Sequence, residues 1–171
     1  MQRLSCIACK FFVILLLLIT VSAQSMAAES PCAASEYRQF DFWLGRWIVE
    51  VGDDQAGRNQ IVQRHDGCLL EENWISVNGG TGSSMNFYDP AAEQWRQIWV
   101  SGGTVIDLAG GLEDNSMRLT GTITYLSEGV RLPFRGLWTP LVDGRVRQYF
   151  EERREGRWQV WFEGFYRKDV E

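Results

Sequence analysis

The run Met117-Arg118-Leu119-Thr120-Gly121-Thr122-Ile123-Thr124-Tyr125-Leu126 decides the class of fold. Met117, Leu119, Ile123 and Tyr125 alternate with Arg118, Thr120, Thr122 and Thr124. A period of two places the first set on one face of a β-strand and the second on the other. One face is apolar and the other wet, as a half-buried strand requires, and β-branched Thr and Ile suit a pleated surface. Glu128-Gly129 ends the run.

Outward from this strand the same reading repeats. Toward the C-terminus, residues 131–141 turn at Asp143-Gly144, residues 145–153 turn near Glu155-Gly156, and residues 158–167 close the chain. Toward the N-terminus, residues 104–109 end at Gly110-Gly111 and residues 94–100 end at Gly102-Gly103. Residues 83–88 lead to Asp89-Pro90, residues 69–77 end at the hairpin signal Asn78-Gly79-Gly80, and Asp66-Gly67 separates that run from residues 60–64. Residues 47–51 come first and stop at Gly52-Asp53-Asp54. Parallel strands need crossovers of a dozen residues or more, and none of these connections is long enough. The spacing predicts an all-β, antiparallel, up-and-down sheet of about ten strands. Closure into a barrel removes the edges of such a sheet; a two-sheet sandwich is the alternative. Pro133 inside a run predicts a bulge or an edge there. Residues 36–44 form the one helix candidate, with Phe40, Trp43 and Leu44 on one face and Gly45 as its stop.

Residues 1–27 read as a secretory signal peptide. Arg3 and Lys10 precede the apolar run that begins at Phe11, and Ser25-Met26-Ala27 supplies the small residues of a cleavage site. The run is shorter than the roughly 20 residues that span a bilayer. An exported protein is expected, periplasmic in a Gram-negative source or otherwise secreted, with residues 28–171 as a single domain. Removing 27 of the 171 residues leaves 144, with 15 basic and 22 acidic side chains and a net charge of -7. That balance argues against nucleic acid, which needs clustered Lys and Arg. Short strands, and Arg and Glu on both faces of 145–153, argue against a lipid-facing barrel. Cys32 and Cys68 remain, and an oxidising compartment makes a disulfide between them the expectation, two free buried thiols being the alternative.

Two further stretches suggest a family. Phe40-Asp41-Phe42-Trp43-Leu44-Gly45-Arg46-Trp47 reads as a short helix followed by Gly-x-Trp at the start of the first strand, and Phe165-Tyr166-Arg167 lies in the last. This resembles the lipocalin-like (calycin) barrels over residues 36–168. The resemblance implies that Arg167 packs over Trp47 and closes the barrel base. The wider pattern, Asp66-Gly67-Cys68 with Glu72 and Trp74 and then Trp95 through Trp99, resembles an uncharacterised bacterial exported protein family with that barrel, which has no established activity to transfer. Nitrobindin-like haem barrels share the Leu-Gly-x-Trp start but use a late histidine on the iron. Here His65 is the single histidine and lies early, so no haem is expected.

The tryptophans offer two readings, packing of the core and base or lining of a cavity. Trp43 and Trp47 suit the base. Trp74, Trp95, Trp99, Trp138 and Phe150 suit a cavity, because polar residues share their strand parity: Glu72 with Trp74, Gln97 with Trp95 and Trp99, Gln148 with Phe150. A buried polar side chain is costly without a partner, and apolar walls with a few convergent polar groups suit a small-molecule pocket. A satisfied structural network is the alternative for Glu72, Gln97 and Gln148. No nucleophile elbow, no metal-ligand spacing and no phosphate loop occurs, so no catalytic residue, metal or cofactor is assigned. The favoured expectation is an exported barrel that binds a small, mostly apolar ligand. A carbohydrate-binding module, a cavity enzyme of isomerase or cyclase type with Glu72 as acid or base, and a pocketless interaction protein remain as alternatives.

Overall fold

Each of ten antiparallel strands pairs with the next in sequence, and the first pairs with the last, so the sheet closes on itself. They are β1 (Gly45–Val51), β2 (Asp54–Arg64), β3 (Leu69–Ser76), β4 (Thr81–Asp89), β5 (Gln94–Ser101), β6 (Thr104–Glu113), β7 (Ser116–Tyr125), β8 (Val130–Pro140), β9 (Val146–Arg154) and β10 (Arg157–Lys168). The structure, a computed structural model, describes residues 30–170, so the expected signal peptide lies outside the described residues. No helix among them is long and apolar enough to cross a membrane. In β7 the apolar set Met117, Leu119 and Ile123 points inward and is buried, and Arg118 and Thr120 face out.

Two strands run further than their apolar alternation foretells. β2 begins at Asp54 rather than near residue 60, because its inward positions there are Gly57 and Asn59, which carry no hydrophobic signal. β6 continues through Gly110-Gly111 to Glu113. A Cβ at Gly110 would lie 2.2 Å from the Arg118 carbonyl oxygen, so the close approach of β7 requires glycine at that point. Pro133 meets its expectation in part. It pairs with Thr122 of β7, but the β8–β9 register begins only at Phe134 opposite Glu152, so β8 has a free edge there and no bulge.

Residues 36–44 are not one helix. They form two single-turn 3-10 helices, Ser35–Arg38 and Asp41–Trp43. A helix this short gains little from its own hydrogen bonds, and here burial decides its shape. The break lets Phe40 and Trp43 enter the barrel end together. They stack at 5.0 Å, and Phe40 sits edge-on to Trp95 and Trp138 at 5.6 and 5.3 Å. The Trp47 indole N–H donates to the Trp43 carbonyl at 2.8 Å, and that of Trp95 donates to the Glu36 carbonyl and to Gln39 Oε1, both at 3.2 Å. The Cys32–Cys68 disulfide, with Cα atoms 5.1 Å apart, ties the segment before this plug to the turn between β2 and β3. Arg38 donates to the Gly67 carbonyl beside it.

The barrel base differs from the expectation in one residue. The β1–β10 register sets Trp47 opposite Lys168 and Ile48 opposite Arg167. Arg167 therefore points outward, where its Nε donates to Glu50 at 3.2 Å. Lys168 takes the position over the indole, its Nζ 3.7 Å from the ring centroid and donating to the Leu44 carbonyl at 2.6 Å. Gly45 is required on two counts: its φ is +131°, and a Cβ there would meet Lys168 Nζ at 2.6 Å.

Two outcomes test this account of the base. Lys168→Ala is expected to lower stability by about 1 kcal/mol through the lost cation–π contact, and Arg167→Ala by less than about 0.5 kcal/mol. Urea unfolding of the two variants checks the order, and the reverse order refutes the register. Replacing Cys32 and Cys68 by Ser is expected to cost roughly 3 kcal/mol by releasing a long loop in the unfolded chain. Non-reducing peptide mapping that finds both thiols free refutes the link.

Candidate functional site

Inward side chains stack in three layers along the barrel axis. The strand order places the plug at one end, with the connections at 65–68, 90–93, 114–115 and 141–145. The tight turns at 52–53, 77–80, 102–103, 126–129 and 155–156 surround the other end. The layer next to the plug is apolar and fully buried, with Trp47, Ile61, Leu70, Trp95, Met117, Trp138 and Val146. Trp95 and Trp138 thus have the inward parity expected of them, but the wrong depth for a cavity wall. They are floor residues, and Trp138 packs against Phe40, Trp43 and Phe150 at 5.0–5.7 Å.

Above the floor lies a polar belt. Asn59, Glu72, Ser84, Asn86, Gln97, Gln148 and Tyr166 are all buried and form one chain of hydrogen bonds. Gln97 Nε2 donates to Asn86 Oδ1 at 2.8 Å. Asn86 Nδ2 donates to Ser84 Oγ at 2.8 Å and to the Leu70 carbonyl at 3.1 Å. Ser84 Oγ donates to Glu72 Oε2 at 2.6 Å, and Asn59 Nδ2 donates to Glu72 Oε1 at 2.7 Å and to the Tyr166 hydroxyl at 3.3 Å. Tyr166 in turn donates to Gln148 Oε1. Glu72, Gln97 and Gln148 are therefore held by protein partners, as the network alternative expects. The partnering is incomplete: among the described residues Asn59 Oδ1 is buried without a partner, and Gln97 Oε1 and Gln148 Nε2 make no hydrogen bond, the last two belonging to side chains that line the cavity above the belt.

That cavity has a volume of about 180 Å³. Glu72, Gln97, Gln148 and Tyr166 form its lower part, and Trp74, Trp99, Ile106, Phe150, Trp161 and Phe162 its walls. An apolar cavity of about 150 Å³ accommodates benzene, so this one suits a single ring with a small substituent. Trp74, Trp99 and Trp161 also line a wider vestibule of about 570 Å³ at the turn tips, together with Ser76, Thr81, Ser101 and Thr104. The three indoles thus form a collar between vestibule and cavity.

Glycines keep the collar open. A Cβ at Gly57 would lie 2.6 Å from Trp74 Cη2, and one at Gly82 would lie 2.1 Å from Trp99 Cζ2. Both indoles lie flat against bare backbone instead of crossing the lumen. Trp161 reaches the collar by another route. The β9–β10 register shifts between Val160 and Phe162, and Trp161 is the extra residue of that bulge. Its N–H donates to the Tyr125 hydroxyl at 3.0 Å. Tyr125 donates to Glu152, which Arg154 also pairs. Burial raises the Glu152 carboxyl, but the Arg154 and Tyr125 hydrogen bonds outweigh it and hold it below its usual value.

The belt carries one unusual charge. Glu72 is 3% exposed. Burial pushes its carboxyl up to about 7, although the Ser84 and Asn59 hydrogen bonds oppose the shift. Burial, with the nearby Glu72 charge, holds the Tyr166 phenol well above its usual value. His65 is exposed in the turn at the plug end, remote from the cavity, and no group of His, Cys, Asp and Glu among the described residues is arranged to hold a metal.

Six of the residues expected at a cavity therefore come together, namely Glu72, Trp74, Gln97, Trp99, Gln148 and Phe150. Sequence reasoning missed Trp161, Phe162 and Ile106 on the walls, and Asn59, Ser84, Asn86 and Tyr166 in the belt. Phe162 and Tyr166 share parity and were there to be found; the bulge hides Trp161. No protein-family model matches the chain, and no curated protein is significantly similar to it.

The position of Glu72 makes stability depend on pH. Its folded value of about 7 lies above the ordinary 4.5. Between these, the folded protein keeps a proton that the unfolded chain loses, so stability is complete below the lower value and falls as pH rises through the window. The loss approaches roughly 3 kcal/mol and levels off above it. Denaturant unfolding across this range is expected to show the decline in the parent protein and to lack it in Glu72→Gln. The same slope in both proteins refutes the assignment.

Proposed function

We propose that the protein is an exported binding barrel for a small, mostly apolar molecule with one polar group. The ligand passes the tryptophan collar and turns its polar group toward Gln97, Gln148 and Glu72. One observation carries this reading: an apolar-walled cavity of about 180 Å³ ends on a polar belt whose Gln97 Oε1 and Gln148 Nε2, among the described residues, have no protein hydrogen bond and whose side chains line that cavity. A pocket uses such groups to orient a ligand. Export is supported by the leader pattern in residues 1–27 and by the Cys32–Cys68 disulfide. The arrangement of the tryptophans favours this reading over a carbohydrate-binding face. Trp74 and Trp99 turn inward, and Trp158 lies beneath the Arg135 guanidinium at 4.3 Å.

Benzyl alcohol is a suitable probe of one ring and one hydroxyl. It is expected to quench the indole fluorescence saturably. Gly82→Ala should abolish that quench with the β circular dichroism intact, because the new methyl drives Trp99 into the cavity. Gln97→Leu should weaken binding and also lower stability by roughly 1–3 kcal/mol, since Asn86 loses its donor. A parent protein that shows no saturable quench with this probe, or a Gly82→Ala variant that binds as the parent does, refutes the reading.

A further inference from the structure

The binding-barrel reading uses Glu72 as a polar contact and leaves its charge unused. Its two oxygens accept from Asn59 and Ser84, which are neutral donors. Among the described residues no arginine, lysine or histidine pairs with it. Cations elsewhere on the barrel have other partners: Arg154 pairs with Glu152 at the mouth, Arg64 with Glu71 on the outer wall, and Lys168 lies at the base on the Leu44 carbonyl. When Glu72 ionises, its charge is buried without a counter-charge, the arrangement a protein interior tolerates least. The cavity that it lines is walled by Trp74, Trp99, Trp161, Phe150 and Phe162. Aromatic faces attract cations, indole most strongly. The unpaired Gln97 Oε1 is a further acceptor on the same cavity.

From this arrangement we propose that the cavity is built for an organic monocation, a small ammonium whose N–H groups reach Glu72 and Gln97 while its apolar body lies between the indoles of the collar. The proposal rests on the reading of the cavity as a binding site and names the class of ligand. A carboxylate ligand would place a second negative charge beside Glu72, and a neutral ligand would leave the first unpaired. An ammonium relieves both conditions.

Binding carries a proton balance. An ammonium that meets protonated Glu72 forms the carboxylate–ammonium pair and releases one proton to solvent. Affinity therefore rises with pH as the carboxyl ionises and is level until the amine itself loses its proton. The other groups facing Glu72 do not titrate in that range: Asn59, Ser84 and Gln148 are neutral, and the Tyr166 phenol is held well above its usual value. Glu152, bound to Arg154, is ionised throughout.

Calorimetric titration with benzylamine, benzyl alcohol and benzoate tests the proposal, because the three differ chiefly in charge. At about pH 8, benzylamine is expected to bind the parent protein about tenfold or more tighter than benzyl alcohol. Benzoate should not bind. At about pH 5 the preference for the amine should largely vanish, and paired buffers of different ionisation enthalpy should reveal proton release near neutrality. Glu72→Gln should keep benzyl alcohol binding and lose the preference. If that variant does not fold, the pH series on the parent protein decides alone. Benzyl alcohol binding as tightly as benzylamine at the higher pH overturns the cation proposal and leaves the binding-barrel reading in place. A preference that persists at low pH or in Glu72→Gln also overturns it. If none of the three binds, both readings fall.

Discussion

A closed barrel of ten strands encloses more volume than its own side chains readily fill, since width grows with strand number and eight strands already leave a space that one small ligand occupies. One end must therefore be stoppered, and the rest of the interior follows from how that is done. Phe40 and Trp43 enter from outside the barrel, Phe40 edge-on to Trp95 and Trp138 and Trp43 tilted against Trp138. The two 3-10 turns that carry them cannot hold their own shape, so they are fastened from several sides. The Trp95 N–H grips the Glu36 carbonyl, Lys168 grips the Leu44 carbonyl over the Trp47 ring, and the Cys32–Cys68 disulfide holds the approach. Each fastening joins residues far apart in sequence, so the stopper stabilises the closed sheet as much as the sheet holds the stopper.

The belt above the stopper is lopsided. Its members come from β2 to β5 and from β9 and β10, while β6, β7 and β8 supply Leu108, Leu119 and Gly136 at similar depth. A buried polar network is sound only when nearly complete, because each missing partner costs about as much as several good bonds return. Concentrating the polar groups on adjacent strands lets each reach the next: Asn59 faces Glu72 across β2 and β3 through Trp74 and Ile61 registers, and Ser84 faces Glu72 directly across β3 and β4. One open valence, Asn59 Oδ1, stays buried within the chain, and those at its two ends, Gln97 and Gln148, lie at the cavity.

The strand order, the closure, the disulfide and the inward parity of Glu72, Gln97 and Gln148 were legible because period-two alternation and turn residues report them directly. Depth was not. Trp95, Gln97 and Trp99 share one face of β5, yet the first seals the floor, the second joins the belt and the third walls the cavity. Alternation has no term for distance along the axis; that comes from the stagger of ten strands and from where the plug enters. Two strands also defeat a hydrophobic reading. β4 turns Gly82, Ser84 and Asn86 inward and leaves Met85 54% exposed, the inverse of the usual pattern. In β10 the bulge at Trp161 reverses the parity part-way along, so a count from Tyr166 fails beyond Phe162. The exchange of Arg167 for Lys168 over Trp47 is the smallest such error: a register difference of one residue moves a side chain to the opposite face.

The three layers also settle their hydrogen bonds differently. In the floor, the indole N–H groups of Trp43 and Trp138 have no partner among the described residues, and ring packing outweighs their desolvation. In the belt the priority is reversed: seven polar side chains displace apolar volume so that one carboxyl can be buried at all. In the collar neither is completed, because Gly57 and Gly82 supply no side chain where Trp74 and Trp99 lie back. The interior therefore changes from dry and filled, through polar and bonded, to aromatic and partly empty. A molecule that enters between the turns meets indole faces first and the carboxyl last. On the binding reading proposed above, such a gradient would orient an amphipathic guest with its polar end inward, against the belt on which the cavity ends.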